Sequence, residues 1–274
     1  MDRLPNGAPV TVLGKVADAE WYLVARDGER LGYVFAPLLA PEGSAEALAS
    51  VAPTRLVARE NRDAVAVIIG NRAYSGDRPK VDYAYNDADA MKRYVIDVLG
   101  YREGNIIDLR DATLGDLRRV FGTKEDARGQ LLNRLRRGRS DVVVFYSGHG
   151  VPGLRDKHGY LLPVDGDPNL AENTGYPLVV LQVNLANLPA RSVQLFLDAC
   201  FSGNSSGGML RSATSGIAIS ERLPRGGGNN FAMLTAAAGD QVASWDPKAE
   251  QGLFTKHLLE ALNGKADGEG YAAW

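Results

Sequence analysis

Two stretches decide the fold: VVVFYSGHG at residues 142–150 and VQLFLDACFSG at residues 193–203. Each begins with a run of apolar and β-branched residues, which is typical of a strand buried on both faces of a parallel sheet. Each run leads into a glycine-containing turn with one reactive residue, His149 in the first and Cys200 in the second. Because sites in open α/β sheets form beyond the carboxyl ends of the strands, we expect both residues at one edge of the sheet.

Further strands and helices alternate around these two stretches. The run AVAVIIG (64–70) predicts a buried strand, and apolar residues at helical spacing over 87–99 predict a helix that stops at Gly100. Thr113 with Asp116 three residues later predicts a capped helix start, followed by helical texture to about residue 137 with a break near Gly122. Two more strands are predicted at 105–109 and 231–237, and a closing helix at 253–262. This alternation predicts right-handed βαβ units and a parallel sheet with helices on both faces.

The first 40 residues have a different texture. Short β-branched or aromatic runs at 10–13, 21–25 and 33–35 predict strands, and Asp27-Gly28 predicts a hairpin turn. The region from 43 to 62 is rich in Ala, Glu and Ser and has the composition of a linker. The predicted organisation is a β module at 1–42, a linker at 43–62, an α/β domain at 63–264 and a tail at 265–274.

Composition excludes several classes of function. With 274 residues and a net charge of -2, the chain has no electrostatic footprint for nucleic acid or membrane surfaces. The single cysteine excludes an intrachain disulfide and a paired-cysteine metal site, and it leaves the compartment unassigned. No apolar run reaches the ~18 residues that a membrane span needs. Residues 1–14 lack a signal-peptide pattern, so we expect a soluble protein.

Cys200 and His149 are the pair that a thiol nucleophile needs. The thiolate is the reactive form of cysteine, and a nearby imidazole can take its proton and later protonate a leaving amine. Either residue alone is more often structural, the cysteine as a small core residue and the histidine as a hydrogen-bonded one. Their joint occurrence beyond two apolar strands, each followed by a glycine-containing turn, favours catalysis.

Residues 64–263 resemble the caspase and metacaspase family of cysteine peptidases, with bacterial caspase-like members closest. The matching segments are AVAVIIGNRAY (64–74), YNDADAM (85–91), VVVFYSGHG (142–150), VQLFLDACFSG (193–203) and SWDPKAEQGLFT (244–255). The histidine also lies about 50 residues before the cysteine, as in caspases. The caspase signature with Gln two residues before Cys is not met, because Asp198 stands there and Phe201 follows the cysteine. This departure points to the metacaspase side.

The resemblance implies a fold and a catalytic apparatus. The fold would be a three-layer α/β/α caspase-like domain with a mostly parallel central sheet. Cys200 would attack the scissile carbonyl, and His149 would act as general base and then as general acid. The backbone N–H groups of Gly150 and Cys200 would form the oxyanion hole, where one donor was worth about 10²–10³ in rate in a well-studied protease.

The resemblance also implies an acidic pocket for the P1 residue, the substrate residue before the cleaved bond. Asp87, Asp198 and Ser147 occupy the matching positions, and two carboxylates favour Arg or Lys at P1 through charge-assisted hydrogen bonds. A helix N-cap is the alternative interpretation of Asp87. Ser244 and Trp245 resemble the loop that walls the substrate cleft, with a place in the core as the alternative for the tryptophan.

We expect neither a metal nor another cofactor. Calcium dependence is common among metacaspases, but Asp165 and Asp167 supply only two carboxylates where calcium takes six to eight oxygen ligands. The Gly- and Ser-rich stretch over 201–228 corresponds to the linker between the two halves of caspases, and it contains Arg211, Arg222 and Arg225. If the P1 residue is basic, self-cleavage is expected at one of these three arginines.

The N-terminal module resembles the bacterial SH3-like domain. The matching segments are VTVLGKV (10–16), EWYLVAR (20–26) and LGYVFAPLL (31–39), and the usual first strand is missing. Such modules bind peptides or cell-wall material, or dock on a catalytic domain. The expected partners of the whole chain are therefore a protein or peptide substrate and a ligand of this module.

Two other functional hypotheses compete with the peptidase. One is a caspase-fold pseudo-enzyme or adaptor that acts by protein–protein binding, which the presence of both Cys200 and His149 disfavours. The other is a flavodoxin-like nucleotide-binding sheet. No glycine-rich phosphate-binding motif follows any predicted strand, so this third hypothesis has little support.

Overall fold

The computed structural model describes residues 9–15, 21–26, 28–35, 39, 60–201, 204–205, 208–209, 230–236 and 245–265. The chain divides into two compact units, Met1–Leu56 and Val57–Trp274. The first contains β1 (Thr11–Lys15), β2 (Trp21–Arg26) and β3 (Glu29–Phe35), which form an antiparallel sheet in that order. Gly28 between β2 and β3 has φ 85°, a left-handed conformation that favours glycine at a tight turn. The predicted β texture of this region is confirmed.

The second unit contains a central sheet with helices around it. Its strands are β4 (Val65–Gly70), β5 (Ile106–Arg110), β6 (Asp141–Ser147), β7 (Gly150–Pro152), β8 (Gly159–Leu161), β9 (Tyr176–Pro177), β10 (Ser192–Asp198), β11 (Asn204–Ser205), β12 (Gly208–Met209), β13 (Phe231–Thr235), β14 (Trp245–Asp246) and β15 (Gln251–Gly252). Its helices are α1 (Ala84–Asp97), α2 (Leu114–Phe121), α3 (Gln130–Arg134), α4 (Ala171–Thr174), α5 (Leu178–Ala186) and α6 (Leu253–Glu260), with a π-helical turn at Ala261–Lys265. Two 3₁₀ turns, Glu103–Asn105 and Pro168–Leu170, complete the described elements.

The central sheet has the order β13-β10-β6-β4-β5, and every pairing in it is parallel. Its register places Gly70, Ser147 and Asp198 in one row across three neighbouring strands. The chain leaves β4, β6 and β10 just beyond this row. Their loops therefore emerge together at the carboxyl edge of the sheet.

Both faces of the sheet are buried, which makes the fold a three-layer α/β/α sandwich. On β6, Val144 and Tyr146 pack with Leu117 of α2 and Leu181 of α5 on one face. Val143 and Phe145 of the same strand pack on the other face, in a cluster with residues of α1 and α6 that includes Met91 and Leu258. Because both faces of the sheet are buried, these strands appear in the sequence as nearly continuous runs of apolar residues. The fold is that of a caspase-like domain, as the sequence predicted.

Several local predictions are confirmed and others need correction. Thr113 and Asp116 form the expected capping box at the start of α2. The helix predicted to begin at Asp87 begins at Ala84, so Asp87 lies in its first turn and is not the N-cap. The predicted break near Gly122 is confirmed, since this residue is the C-cap of α2 and has φ 83°. The helical texture predicted to about residue 137 continues only in the short α3, which ends at Arg134. The sequence analysis did not predict α5, because its apolar residues surround the helix and show no helical period.

Gly70 allows α1 to pack directly on the sheet. A Cβ at this position would lie 2.6 Å from the Ala84 carbonyl oxygen and 3.0 Å from the Ala88 Cβ. Gly70→Ala should therefore lower the free energy of unfolding by about 1–3 kcal/mol, because α1 must shift. Gly104→Ala is the matched control, since a Cβ at Gly104 meets nothing within 4 Å. Urea unfolding of both variants tests this, and equal midpoints would contradict it.

Candidate active site

The reactive residues follow a paired position on two neighbouring strands. Ser147 of β6 pairs with Asp198 of β10, and the Gly148 N–H donates to the Asp198 carbonyl oxygen at 3.2 Å. His149 and Cys200 each lie two residues beyond that pair, and both side chains are buried. The parallel register thus brings the two sequence-predicted catalytic residues to the same edge of the sheet.

One nitrogen of the His149 imidazole forms a hydrogen bond with a backbone carbonyl oxygen. Its Nε2 lies 2.7 Å from the Pro79 carbonyl oxygen, and because a carbonyl only accepts, Nε2 carries the proton. Nδ1 is then the nitrogen that can take up a proton. Burial lowers the pKa of His149 to about 4, while the hydrogen bond to Pro79 acts in the opposite direction. The ring is therefore neutral at physiological pH and able to act as a base.

Two buried tyrosines hold the backbone of His149. The Tyr74 hydroxyl accepts a hydrogen bond from the His149 N–H at 2.7 Å, and the Tyr146 hydroxyl donates to the His149 carbonyl oxygen at 2.9 Å. The Tyr74 ring also lies against the imidazole, with centroids 4.5 Å apart. The peptide groups on both sides of the histidine are thus fixed, which restricts the orientation of the ring.

Gly150, the residue after the histidine, packs against the backbone of Cys200. A Cβ at Gly150 would lie 2.8 Å from the Cys200 carbonyl oxygen and 2.7 Å from the Phe201 ring. Only glycine fits there without displacing the Cys200 segment. Gly150 and Cys200, the two expected oxyanion-hole donors, are therefore neighbours in space.

The two aspartates predicted for the acidic pocket are buried in the same region. The Asp87 carboxylate accepts hydrogen bonds from the Gly252 N–H at 2.9 Å and from the Ser147 hydroxyl at 3.1 Å. The Asp198 carboxylate accepts from the Thr255 hydroxyl at 2.6 Å and from the Thr255 N–H at 3.3 Å. The three residues predicted for the pocket thus come together, and the segment before and at the start of α6 supplies their remaining partners.

The two carboxylates lie close enough to affect each other's ionisation. A Cβ at position 252 would lie 2.4 Å from the Asp198 Oδ2 and 3.0 Å from the Asp87 Oδ2, so the backbone at Gly252 separates them. Burial and the charge of Asp198 raise the pKa of Asp87 to about 7. Burial also raises the pKa of Asp198, against the hydrogen bonds from Thr255. The raised pKa values mean that the two acids resist being charged together, and a cation between them would favour their charged forms.

Trp245 lies in the hairpin that reaches this pocket. It is half-buried and pairs with Gly252 across β14 and β15. Its ring meets the edge of the Tyr83 ring at 5.8 Å and packs on a buried cluster that includes Tyr74. The tryptophan therefore combines core packing with a place beside the pocket, and its neighbour Ser244 lies outside the described residues.

Five residues of the site, Tyr74, Pro79, Tyr146, Gly252 and Thr255, were not singled out by the sequence analysis. Pro79 and Tyr74 lie in the loop after β4, and Gly252 and Thr255 lie where β15 meets α6. Tyr74, Gly252 and Thr255 belong to segments already quoted for the family resemblance. A role for Tyr146 could have been inferred from the sequence, since a tyrosine in a buried apolar strand needs a hydrogen-bond partner.

The acidic residues considered for calcium have structural roles. Asp165 accepts a hydrogen bond from the Leu114 N–H at 3.0 Å, and Asp167 caps a 3₁₀ turn through the Asn169 N–H at 2.8 Å. Within the described residues, no group of three or more His, Cys, Asp or Glu side chains is arranged to hold a metal ion. The carboxylates present in these ranges do not fit a calcium site.

Two further expectations concern other parts of the chain. Arg211, Arg222 and Arg225, proposed for self-cleavage, lie outside the residues that the structure describes. Among the helices in the described ranges, none combines the length and apolar character that crossing a membrane requires.

Comparisons with known proteins identify both parts of the chain. The family model described as the caspase domain matches residues 63–273, and the bacterial SH3 domain model matches residues 1–40. A search of curated proteins found no match. Among solved structures, caspase-1 from Spodoptera frugiperda is similar, with 14% identity, a TM-score of 0.49, and coverage of 74% of this chain and 70% of that one. The chain therefore belongs to the caspase-domain family of cysteine peptidases and carries a bacterial SH3 module over its first 40 residues.

Proposed function

We propose that this protein is a cysteine endopeptidase that cleaves after Arg or Lys with Cys200 as nucleophile and His149 as acid and base. One observation carries the proposal: the buried carboxylates of Asp198 and Asp87 lie at the sheet edge from which both reactive residues emerge. A negative pocket beside a thiol and an imidazole is the arrangement that a protease for basic P1 residues needs.

The chemistry begins with a proton transfer. The Cys200 thiol gives its proton to Nδ1 of His149, and the thiolate attacks the scissile carbonyl carbon. The N–H groups of Gly150 and Cys200 donate to the resulting oxyanion. Collapse of the tetrahedral species breaks the C–N bond, and His149 returns the proton to the leaving amine. A water molecule, deprotonated by the same imidazole, then hydrolyses the thioester and releases the thiol.

The surroundings of His149 suit both of its roles. Burial keeps the ring neutral, so it can accept the thiol proton. The Pro79 carbonyl accepts from Nε2–H and stabilises the imidazolium that forms after this transfer. Tyr74 and Tyr146 fix the backbone on both sides, which keeps Nδ1 directed to one place during the cycle.

The sign of charge in the pocket sets the P1 preference. Among the described residues, the groups that donate hydrogen bonds to the Asp87 and Asp198 carboxylates are all uncharged. A guanidinium or ammonium group at P1 would supply a charged partner. A neutral or acidic P1 side chain would leave the buried negative charge uncompensated, which is costly.

The SH3 module suggests a second binding activity. We propose that residues 1–40 bind a peptide or cell-wall ligand and so place the peptidase near its substrates. The match to the bacterial SH3 model supports this proposal.

Cys200→Ala should abolish cleavage of a reporter peptide with Arg at P1, because the nucleophile is lost. Circular dichroism should show an unchanged fold, since alanine fills much of the same buried space. Persistent activity would exclude Cys200 as the nucleophile. If the wild-type protein cleaves no reporter yet still binds an Arg peptide, the adaptor hypothesis replaces the peptidase.

Asp87→Asn should lower kcat/KM for an Arg reporter by about tenfold or more, because a hydrogen bond to a charged group is lost. In the wild-type protein, the raised pKa of Asp87 means that its carboxylate gains a proton as the pH falls below about 7. KM for the Arg reporter should therefore rise on the acid side of neutrality, and this dependence should weaken in the variant. Initial rates measured across pH test both statements, and identical pH profiles would contradict the role of Asp87.

Self-cleavage should occur within residues 201–228. Intact-mass spectrometry of the purified wild-type protein should show two fragments, and the Cys200→Ala variant should remain whole. Changing Arg211, Arg222 and Arg225 together to Ala should also leave the chain whole. A wild-type chain that is both intact and fully active would remove self-processing from the proposal.

A further inference from the structure

Both pocket carboxylates are held by one short segment of the chain. Gly252 ends β15 and donates its N–H to Asp87, while Thr255, in the first turn of α6, donates its N–H and hydroxyl to Asp198. This segment follows the Gly- and Ser-rich stretch, far in sequence from α1 and β10. It therefore brings a fourth part of the chain to the pocket, beyond α1, β6 and β10.

Among the described residues, Thr255 donates both hydrogen bonds that the Asp198 carboxylate accepts, one from its backbone N–H and one from its hydroxyl. The residue is fully buried, and its hydroxyl lies 2.6 Å from the Asp198 Oδ2. A buried carboxylate is stable in its charged form only when donors or cations compensate its charge. Among the described residues, the Thr255 hydroxyl is the closer of the two donors to this carboxylate, at 2.6 Å against 3.3 Å for the Thr255 N–H, so it provides a large part of this compensation.

Gly252 fixes the spacing of the two acids. Its backbone lies between their Oδ2 atoms, and any side chain at this position would enter the space of Asp198. The two carboxylates thus accept hydrogen bonds from Gly252 and Thr255, which lie only three positions apart in the chain. A fixed pair of carboxylates matches the planar, multiply donating guanidinium group better than a mobile pair would.

We propose that Thr255 is a positioning residue that fixes the Asp198 carboxylate and thereby sets the preference for a cationic over a neutral P1 side chain. The inference rests on the proposed function and names a determinant of its specificity. Thr255 acts on the substrate only through Asp198, since its hydroxyl is used by that carboxylate.

The surroundings of Asp198 determine the expected pH behaviour. Among the described residues, Asp87 on α1 is the ionisable group across the pocket from Asp198. On β6, Ser147 is uncharged, and His149, which follows that strand, is neutral. The hydrogen bonds from Thr255 lower the pKa of Asp198, against the effect of burial. Removing the hydroxyl should raise that pKa, so less of the carboxylate is charged at neutral pH and more becomes charged as the pH rises.

The test compares two reporter peptides that differ only at P1, one with arginine and one with citrulline, its uncharged analogue of nearly equal shape. The full chain is used as wild type, Thr255→Val, Thr255→Ser and Thr255→Ala. In Thr255→Val, the ratio of kcat/KM for arginine over citrulline should fall about tenfold at neutral pH, because a charge-assisted hydrogen bond is lost. Citrulline cleavage should stay within about twofold of wild type, and the ratio should recover toward high pH.

The serine variant keeps the hydroxyl and should retain the wild-type ratio, which separates the hydrogen bond from the packing of the threonine methyl group. If Thr255→Val does not fold, Thr255→Ala removes the same donor without the branched side chain. An unchanged ratio in both variants, or an equal loss with both reporters, would overturn the inference. Failure of the proposed function looks different: the wild-type protein itself would then cleave neither reporter or show no preference for arginine.

Discussion

The parallel pairing of β6 with β10 is the constraint on which the rest of the site depends. It aligns Ser147 with Asp198, and it thereby aligns His149 with Cys200 two residues further on. Side chains alternate between the faces of a sheet, so a slip of one residue would send the apolar set of β10 to the wrong face. The same apolar contacts that fix the register against α1, α2 and α5 therefore also fix the geometry of the proposed catalytic pair.

The proposed roles of His149 and of the two aspartates require opposite effects on their charge at this edge of the sheet. The imidazole of His149 must stay neutral in the resting protein, and burial achieves this by lowering its pKa. For the proposed P1 preference, the aspartates must instead hold negative charge, and burial acts against this by raising their pKa. Hydrogen-bond donors offset part of this effect: the Thr255 and Ser147 hydroxyls and the Gly252 N–H donate to the carboxylates, while His149 faces a carbonyl and an aromatic ring.

The sequence allowed the prediction of features that depend on local patterns. Apolar runs located β4, β6 and β10, and the spacing of Thr113 and Asp116 located a capping box. Local patterns failed where tertiary contacts decide. The start of α1 lies before Asp87 because that side chain bonds to Gly252, 165 residues away in the chain, instead of capping its own helix. No periodicity within a segment can reveal such a partner, and Thr255 remained unassigned for the same reason.

The distribution of the pocket along the chain has a consequence for its biosynthesis. Asp87, Asp198 and Thr255 are contributed by widely separated segments, so the pocket has a high contact order and forms only when all three have folded together. During translation, the cysteine and histidine leave the ribosome well before residue 255 does. A nascent chain thus carries Cys200 and His149 before Thr255 is available to complete the pocket.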